Sequence, residues 1–150
     1  MGELPGRGEA DRQRGRRRTA RGGRGVPGVQ PVTRPPRLEP WQVWLVDFGE
    51  PVGHEQGGVR PAVVVGSQIH CRFPIGRAMV VPLTSRDRGL DHHVRIDPAG
   101  SGLNRPSWAR TEDLTAVSTQ RFVRSEPLGT ASATEIADLS EWLRDLVAFC

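Results

Sequence analysis

The sequence contains no lysine and only two cysteines, and both scarcities bear on the class of protein and on the kinds of site that it can contain. All 21 basic residues are arginine, which indicates a GC-rich coding bias and also suits bidentate contacts with phosphate groups. Cys71 and Cys150 form no CxxC pair, which excludes a disulfide framework and a zinc cluster built on cysteines. Such sparse use of cysteine fits a reducing cytosol.

Long apolar runs are also missing. No segment approaches the length of a membrane span, and the N-terminus lacks the apolar stretch of a signal peptide. We therefore expect a cytoplasmic protein with no membrane partner.

The positive charge is concentrated at the N-terminus. Residues 1–38 carry 10 arginines against 3 acidic residues, a net +7, whereas the whole chain is +4 and the remainder is therefore −3. This segment is rich in Gly, Arg and Pro and cannot bury enough apolar surface to offset the entropy of ordering it. We predict a disordered extension at 1–38 and a folded domain at 39–150. The extension is either an RNA-binding arm or the product of a start codon assigned too far upstream.

The rest of the chain predicts a small β-barrel with one helix. Dense β-branched and aromatic residues predict strands over 41–48, 60–66, 77–83, 93–96 and 107–114, and an interrupted strand over 123–130. Ser132 and Glu135 have the spacing of a capping box that starts a helix. Four apolar residues at helical spacing then predict a helix packed against one side of the barrel; they are Ile136, Leu139, Leu143 and Leu146.

Residues 53–61, with the sequence GHEQGGVRP, form a polar loop that runs into a buried strand. Gly57 and Gly58 allow a sharp turn and a close approach of the backbone to a ligand. Pro61 biases Arg60 towards an extended conformation, which places its guanidinium at the junction of loop and strand. With His54 and Glu55, the segment offers the groups of a phosphoryl-transfer site. The alternative is a hairpin loop with solvated charges.

Other conspicuous residues have plainer interpretations. His92 and His93 lack a nearby third ligand in the sequence, so we expect a solvated pair and no metal site. His70 and Cys71 are expected in a loop, without a role. The four tryptophans are expected in the barrel core or a dimer interface rather than against bases; they are Trp41, Trp44, Trp108 and Trp142.

Four segments in order resemble the MazF/PemK family of toxin endoribonucleases from toxin-antitoxin systems. They are residues 43–48, 53–61, 81–85 and 107–114, and the resemblance covers about 41–149. It implies a mainly β, SH3-like barrel with a C-terminal α-helix. It also implies a homodimer that cleaves single-stranded RNA without metal or cofactor, is held by a cognate antitoxin, and binds operator DNA together with that antitoxin.

The resemblance also implies the site. The essential catalytic pair of MazF-type members corresponds to Arg60 and Thr84. The catalytic set of PemK-type members corresponds to His54, Arg110 and Glu112. RNA contacts are then expected from the neighbouring loop residues Glu55, Gln56, Gly57, Gly58 and Ser85. The chain departs from the family where Glu112 replaces the shorter Asp of PemK and where Pro40 and Trp41 replace the usual Gly-Asp or Gly-Glu.

Chemistry without a metal suits RNA, because the 2′-hydroxyl is a nucleophile already tethered beside the phosphate. We expect Glu112 to be the base, Arg110 or Arg60 to hold the phosphate, and Thr84 to donate a hydrogen bond to it. His54 is a more natural acid than an arginine, which holds its proton too tightly.

Two other classes of function stay open at this point. One is a non-catalytic toxin of the same fold that acts on gyrase; the combined presence of Arg60, Thr84, Arg110 and Glu112 argues against it, because a gyrase binder needs no phosphate site. The other is an autoregulator that acts mainly by binding operator DNA with its antitoxin.

Overall fold

The computed structural model describes residues 35–148. The predicted disorder of the N-terminal extension lies outside these residues, except at 35–38. Within the described part, seven strands, three α-helices and two short 3-10 helices form a mainly β domain, as predicted. The strands are β1 (Gln42–Asp47), β2 (Val59–Val64), β3 (Arg77–Thr84), β4 (His93–Ile96), β5 (Ser107–Arg110), β6 (Thr115–Ser118) and β7 (Gly129–Thr130), and the helices are α1 (Gln68–Arg72), α2 (Pro98–Ser101) and α3 (Ala133–Leu146).

β3 is the central strand of one curled antiparallel sheet with the order β4-β5-β3-β2-β1-β7. One edge of β3 pairs with β2. Its other edge pairs first with β6, through Arg77 to Val80, and then with β5, through Leu83 and Thr84. The sheet therefore bends near the C-terminal end of β3, where the partner on this edge changes from β6 to β5.

Alternating residues build two hydrophobic clusters, one on each face of the sheet. Val63, Val81 and Leu83 belong to a cluster that also buries Leu139 of α3. The opposite cluster is centred on Trp44 and Phe122, whose rings meet edge to face with centroids 5.5 Å apart. The helix thus covers one face of the sheet, and the other face is closed by the chain around Phe122.

The N-terminus of α3 confirms the predicted capping box. Ser132 Oγ accepts a hydrogen bond from the backbone N of Glu135, and Glu135 Oε2 accepts one from the backbone N of Ser132. Glu135 is buried, and its Oε1 also accepts from the backbone N of Asp97 at 2.8 Å. One carboxylate therefore joins the helix to the chain after β4. The apolar stripe is shorter than predicted, because Leu146 is 47% exposed.

The structure corrects three predicted elements. The predicted strand 107–114 ends at Arg110, where a 3-10 helix (Thr111–Asp113) turns the chain into β6, a strand that the sequence did not predict. The interrupted strand 123–130 is reduced to β7. His70 and Cys71 lie on α1, not in a loop, because Ser67 caps a helical turn there.

The tryptophans mostly follow expectation. Trp44 is fully buried, and Trp41 and Trp142 pack against the cluster that includes Leu139. Trp108 is only half-buried, and the guanidinium of Arg95 lies 5.9 Å from the centre of its ring. In residues 35–148, no helix has the length and apolar character needed to cross a membrane.

Candidate active site

The pairing of β2 with β3 relates Arg60 to Thr84. Ala62 pairs with Pro82, so Arg60 and Thr84 each lie two residues beyond this pair, at the same end of the two strands. Because side chains alternate along a strand, both residues belong to the face of Ala62 and Pro82. The two residues of the MazF-type set are therefore register neighbours.

The pairing of β3 with β5 and β4 extends this row. Thr84 pairs with Trp108, so Arg110, two residues further along β5, belongs to the same face. Arg110 in turn pairs with His93 of β4. The row from Arg60 to His93 thus crosses four adjacent strands at the bend of the sheet.

Arg110 is the buried cation of the site. Its side chain is only 10% exposed, and its Nε lies 3.4 Å from Oε1 of Glu112 and 3.1 Å from Oδ2 of Asp113. The 3-10 helix that follows β5 folds both carboxylates back onto this guanidinium. The structure therefore brings together Arg110 and Glu112, as the PemK-type set requires, and adds Asp113, which the sequence did not indicate.

His93 is not solvated, contrary to the prediction. Its side chain is 1% exposed, and its Nε2 lies 2.8 Å from Oε1 of Glu112. An ionised carboxylate can only accept, so the imidazole is the donor. His92 Nε2 lies 3.4 Å from Oε2 of the same carboxylate. The third ligand that the sequence lacked nearby is Glu112, 19 residues from His93 along the chain.

These contacts move the pKa values of the two carboxyls in opposite directions. Partial burial tends to raise the pKa of Glu112, but the hydrogen bond from His93 and the charges of the His93 and His92 rings outweigh it, and the net pKa is lowered. Burial raises the pKa of Asp113; Arg110 opposes this, while the charges of Glu112 and Glu55 add to it, and the net pKa is raised. Glu112 is thus held ionised, whereas Asp113 binds a proton more readily.

The loop that carries His54 lies over one side of this cluster. Glu55 and Gln56 line a cavity of about 570 Å³ together with Pro82, Asp113 and other residues. Oε1 of Gln56 is buried and has no hydrogen-bond partner within residues 35–148. His54 is exposed, and in the same part of the chain its ring makes no hydrogen bond or ion pair. The structure therefore brings Glu55 and Gln56 to the cluster but leaves His54 apart from it.

Arg60 lines a second cavity, of about 650 Å³, with Gly57, Gly58 and Ser85. Its Nε donates a 2.7 Å hydrogen bond to the carbonyl of Gly57, and within residues 35–148 the other four N–H groups of the guanidinium remain for a ligand. Thr84 Oγ1 accepts from the backbone N of Arg86 at 3.2 Å, and in the described part of the chain its hydroxyl proton has no acceptor. The half-buried Arg60 is thus available to an anion in this cavity, whereas Thr84 is buried beside it, with 8% of the residue exposed.

The candidate residues therefore form two adjoining regions. One contains Arg110, Glu112, Asp113 and the two histidines, and the other contains Arg60 and the Gly57-Gly58 turn. A chain of phosphates that crosses the end of β3 would meet cations in both regions. Of the described residues, only His92, His93 and Glu112 form a group that could hold a metal ion.

Comparison with known proteins identifies the family of the chain. Residues 39–147 match the sequence model of the PemK-like, MazF-like toxin of type II toxin-antitoxin systems. The chain is similar to endoribonuclease MazF9 of Mycobacterium tuberculosis, with 32% identity over 108 residues, which covers 69% of this chain and 90% of the relative. It is also similar to endoribonuclease EndoA of Bacillus subtilis, with 34% identity over 81 residues, which covers 53% of this chain and 70% of the relative.

Solved structures show the same fold. The crystal structure of MazF from Deinococcus radiodurans superposes with a TM-score of 0.61 at 28% identity, covering 73% of this chain and 94% of that one. A MazE-MazF structure from the same organism superposes with a TM-score of 0.58 at 26% identity, covering 73% and 95%. The predicted fold and the predicted family are both confirmed, and the chain belongs to the PemK-like, MazF-like toxin family of type II toxin-antitoxin systems.

Proposed function

We propose that this toxin is an endoribonuclease that cleaves single-stranded RNA in the cytoplasm, at selected sequences and without a metal ion. The observation that carries the proposal is the contact of 3.4 Å between Arg110 Nε and Glu112 Oε1 beside a cavity lined by Glu55 and Gln56. A cation that can hold a phosphate and an ionised carboxylate that can accept a proton lie side by side. The names of MazF9 and EndoA as endoribonucleases support the same activity.

The reaction needs only groups that the chain supplies. Glu112 accepts the proton of the 2′-hydroxyl, and the 2′-oxygen attacks the adjacent phosphorus to form a cyclic phosphate. The bond from phosphorus to the 5′-oxygen breaks, and the leaving oxygen takes a proton from His54, which reaches it when the exposed loop closes over RNA. Arg110, Arg60 and the hydroxyl of Thr84 neutralise the negative charge that develops on the phosphate oxygens.

Asp113 is the competing base. The lowered pKa of Glu112 keeps it ionised but makes it a weaker proton acceptor, whereas the raised pKa of Asp113 lies closer to the pH at which the enzyme would work. We place the base on Glu112, because it is the more exposed of the two carboxyls, at 32% against 24%. Asp113 then serves to orient Arg110.

Sequence selectivity is assigned to the loop residues around the two cavities. Oε1 of Gln56, buried and without a partner within residues 35–148, can accept a hydrogen bond from a base once the loop moves, and the carboxylate of Glu55 and the hydroxyl of Ser85 offer further polar contacts. Gly57 and Gly58 allow the RNA backbone to pass close to the loop. Single-stranded RNA suits such a site, because its unstacked bases expose their edges.

The proposed partners follow the family. The MazE-MazF structure at 26% identity supports a cognate antitoxin that binds this toxin. We propose further that the toxin is a homodimer and binds operator DNA only together with the antitoxin. Residues 1–38 are proposed as an extension outside the toxin domain at 39–150, which agrees with a family match that begins at residue 39.

The test is cleavage of a mixed RNA by purified protein in EDTA, with cut sites mapped by primer extension. Cuts at a shared short sequence would support a selective, metal-independent ribonuclease. Intact RNA together with inhibition of DNA gyrase would favour the gyrase-type binder. Intact RNA together with tight operator binding would favour the autoregulator.

A further inference from the structure

His92, His93 and Glu112 place three ligand atoms within 4.8 Å of one another, at a point where the sequence predicted no metal site. We propose that these side chains bind a divalent transition metal, with Zn²⁺ the best match, and that the bound ion suppresses RNA cleavage. The suppression of RNA cleavage rests on the proposed function, whereas the binding of the metal ion does not.

The two contacts between the histidines and Glu112 are close to the spacing of ligands around a tetrahedral ion. Zinc holds imidazole nitrogens and carboxylate oxygens at about 2.0–2.1 Å, which puts neighbouring ligand atoms about 3.3 Å apart in a tetrahedron. Two of the separations are 2.8 Å from His93 Nε2 to Glu112 Oε1 and 3.4 Å from His92 Nε2 to Glu112 Oε2, and the three ligand atoms all lie within 4.8 Å of one another. Side-chain shifts of up to about 1.5 Å, which the partly exposed His92 and Glu112 can make, would admit the ion. Two histidines and one glutamate also form a ligand set that leaves the fourth position of zinc open.

The scaffold holds the ligands from two sides. His93 is fixed by burial on β4, and Glu112 lies on the 3-10 helix that follows β5. The hydroxyl of Thr111 donates a 2.6 Å hydrogen bond to the carbonyl of His92, which ties that helix to the start of β4. His92 and Glu112 are about one-third exposed, at 31% and 32%, so an ion can enter from solvent. The site is therefore partly preformed and open on one side.

The surroundings set the expected affinity. A metal-bound imidazole usually donates its other N–H to an acceptor, and loss of such a partner costs roughly 10–100-fold in affinity. Nδ1 of His93 is buried and has no partner within residues 35–148. We therefore expect a dissociation constant in the micromolar range, with Zn²⁺ and Cu²⁺ favoured over Mn²⁺ and no measurable binding of Mg²⁺.

Binding of the ion would remove the base of the proposed reaction. Glu112 cannot accept a proton from RNA while its carboxylate is a metal ligand. An ion at this position also lies beside Arg110, and its positive charge would weaken the contact of 3.4 Å between the guanidinium and Glu112. The site would thus couple toxin activity to the supply of a transition metal.

The binding experiment uses the full chain without RNA, in a Cys71→Ser, Cys150→Ser background so that thiols do not contribute. Zn²⁺ titration calorimetry and Co²⁺ absorption should both show one ion per chain. The visible spectrum of the bound Co²⁺ should be that of an ion with nitrogen and oxygen ligands and a coordination number below six. His92→Ala and Glu112→Gln should each weaken binding at least tenfold, while His70→Ala, which removes an imidazole on α1, should leave it unchanged. Unchanged melting temperatures confirm that the variants fold. Equal binding by His92→Ala and by the parent would overturn the site.

The activity experiment adds Zn²⁺ to the same protein during RNA cleavage. Micromolar Zn²⁺ should slow cleavage by the parent and by His70→Ala at least tenfold, and EDTA should restore it. Binding without any loss of cleavage would show that the ion does not control the reaction. If no RNA is cut even in EDTA, the proposed function fails and the suppression falls with it, whereas the cobalt spectrum still decides whether the metal site exists.

Discussion

Nε2 of His93, on β4, donates a 2.8 Å hydrogen bond to Oε1 of Glu112, on the 3-10 helix after β5. The bond exists because β4 and β5 pair His93 with Arg110, two residues before Glu112. One strand register thus places a buried imidazole, a guanidinium and a carboxylate together. This cluster supports both the proposed reaction and the proposed metal site.

We expect Glu112→Gln to slow RNA cleavage roughly 10²- to 10⁴-fold with little change in RNA affinity, because it removes the proton acceptor and keeps the side-chain length. Asp113→Asn should slow cleavage less, since Asp113 only orients Arg110. Single-turnover rates and RNA binding to uncleavable substrate would measure both effects. If Asp113→Asn does not cleave RNA while Glu112→Gln does, the base is Asp113.

The pH dependence of kcat/KM, measured in EDTA, separates the two carboxyls. A base loses activity as the pH falls through its pKa. Since the pKa of Glu112 is lowered, we expect the acid limb of the profile to lie below the usual range for a glutamate. An acid limb above the usual range for an aspartate would instead report the raised pKa of Asp113.

We expect Arg60→Ala and Thr84→Val each to reduce the cleavage rate roughly 10²- to 10³-fold, the cost of losing one preorganised donor to a developing oxyanion. Thr84→Val keeps the shape of the side chain and removes only the hydroxyl. Arg88→Ala, on the exposed chain after β3, is the matched control and should leave the rate unchanged. If the Arg60 and Thr84 variants cleave like this control, neither the cavity that Arg60 lines nor the hydroxyl of Thr84 takes part in the reaction.

Glu135→Ala should destabilise the fold by about 2–4 kcal/mol, because the buried carboxylate accepts hydrogen bonds from the backbone N atoms of Asp97 and Ser132. Asp138→Ala removes an exposed carboxylate from the same helix and should change stability by less than about 0.5 kcal/mol. Urea unfolding would measure both. Equal stability of the two variants would show that Glu135 does not join α3 to the chain after β4.

Two truncations test the proposed domain boundary. Deletion of residues 1–34 should leave both the melting temperature and the RNA cleavage rate unchanged. Deletion of residues 1–38 also removes Leu38, a half-buried residue that packs against the cluster around Trp44, and should cost about 1 kcal/mol. A large fall in melting temperature on the shorter deletion would show that the extension belongs to the folded domain.

Local patterns were sufficient to predict much of this fold. The start of α3 follows from the spacing of Ser132 and Glu135, which is a purely local signal, and β1 to β4 follow from β-branched runs. The break after Arg110 was missed, although the Thr-Glu-Asp sequence that follows is poor in strand-forming residues and could have signalled it.

The neighbours of Glu112 could not be predicted in the same way. His93 alternates with Val94, which assigns it to the polar face of β4 and suggests exposure. It is buried because the 3-10 helix covers that face at this end of the sheet, and the contact spans 19 residues. The same 3-10 helix places Asp113 against Arg110. Such contacts depend on strand register, which local sequence does not specify.

In the proposed reaction, the toxin cuts RNA through the 2′-hydroxyl without a metal. The most direct measurement compares an RNA oligonucleotide that contains a mapped cleavage site with the same oligonucleotide carrying one deoxynucleotide 5′ to the cut, both in EDTA. We predict that the all-RNA substrate yields a cyclic phosphate and a 5′-hydroxyl, and that the deoxy substrate binds but stays intact. Cleavage of the deoxy substrate at the same rate would show that the 2′-hydroxyl is not the nucleophile. A complete loss of RNA cleavage in EDTA would show that the reaction needs a metal.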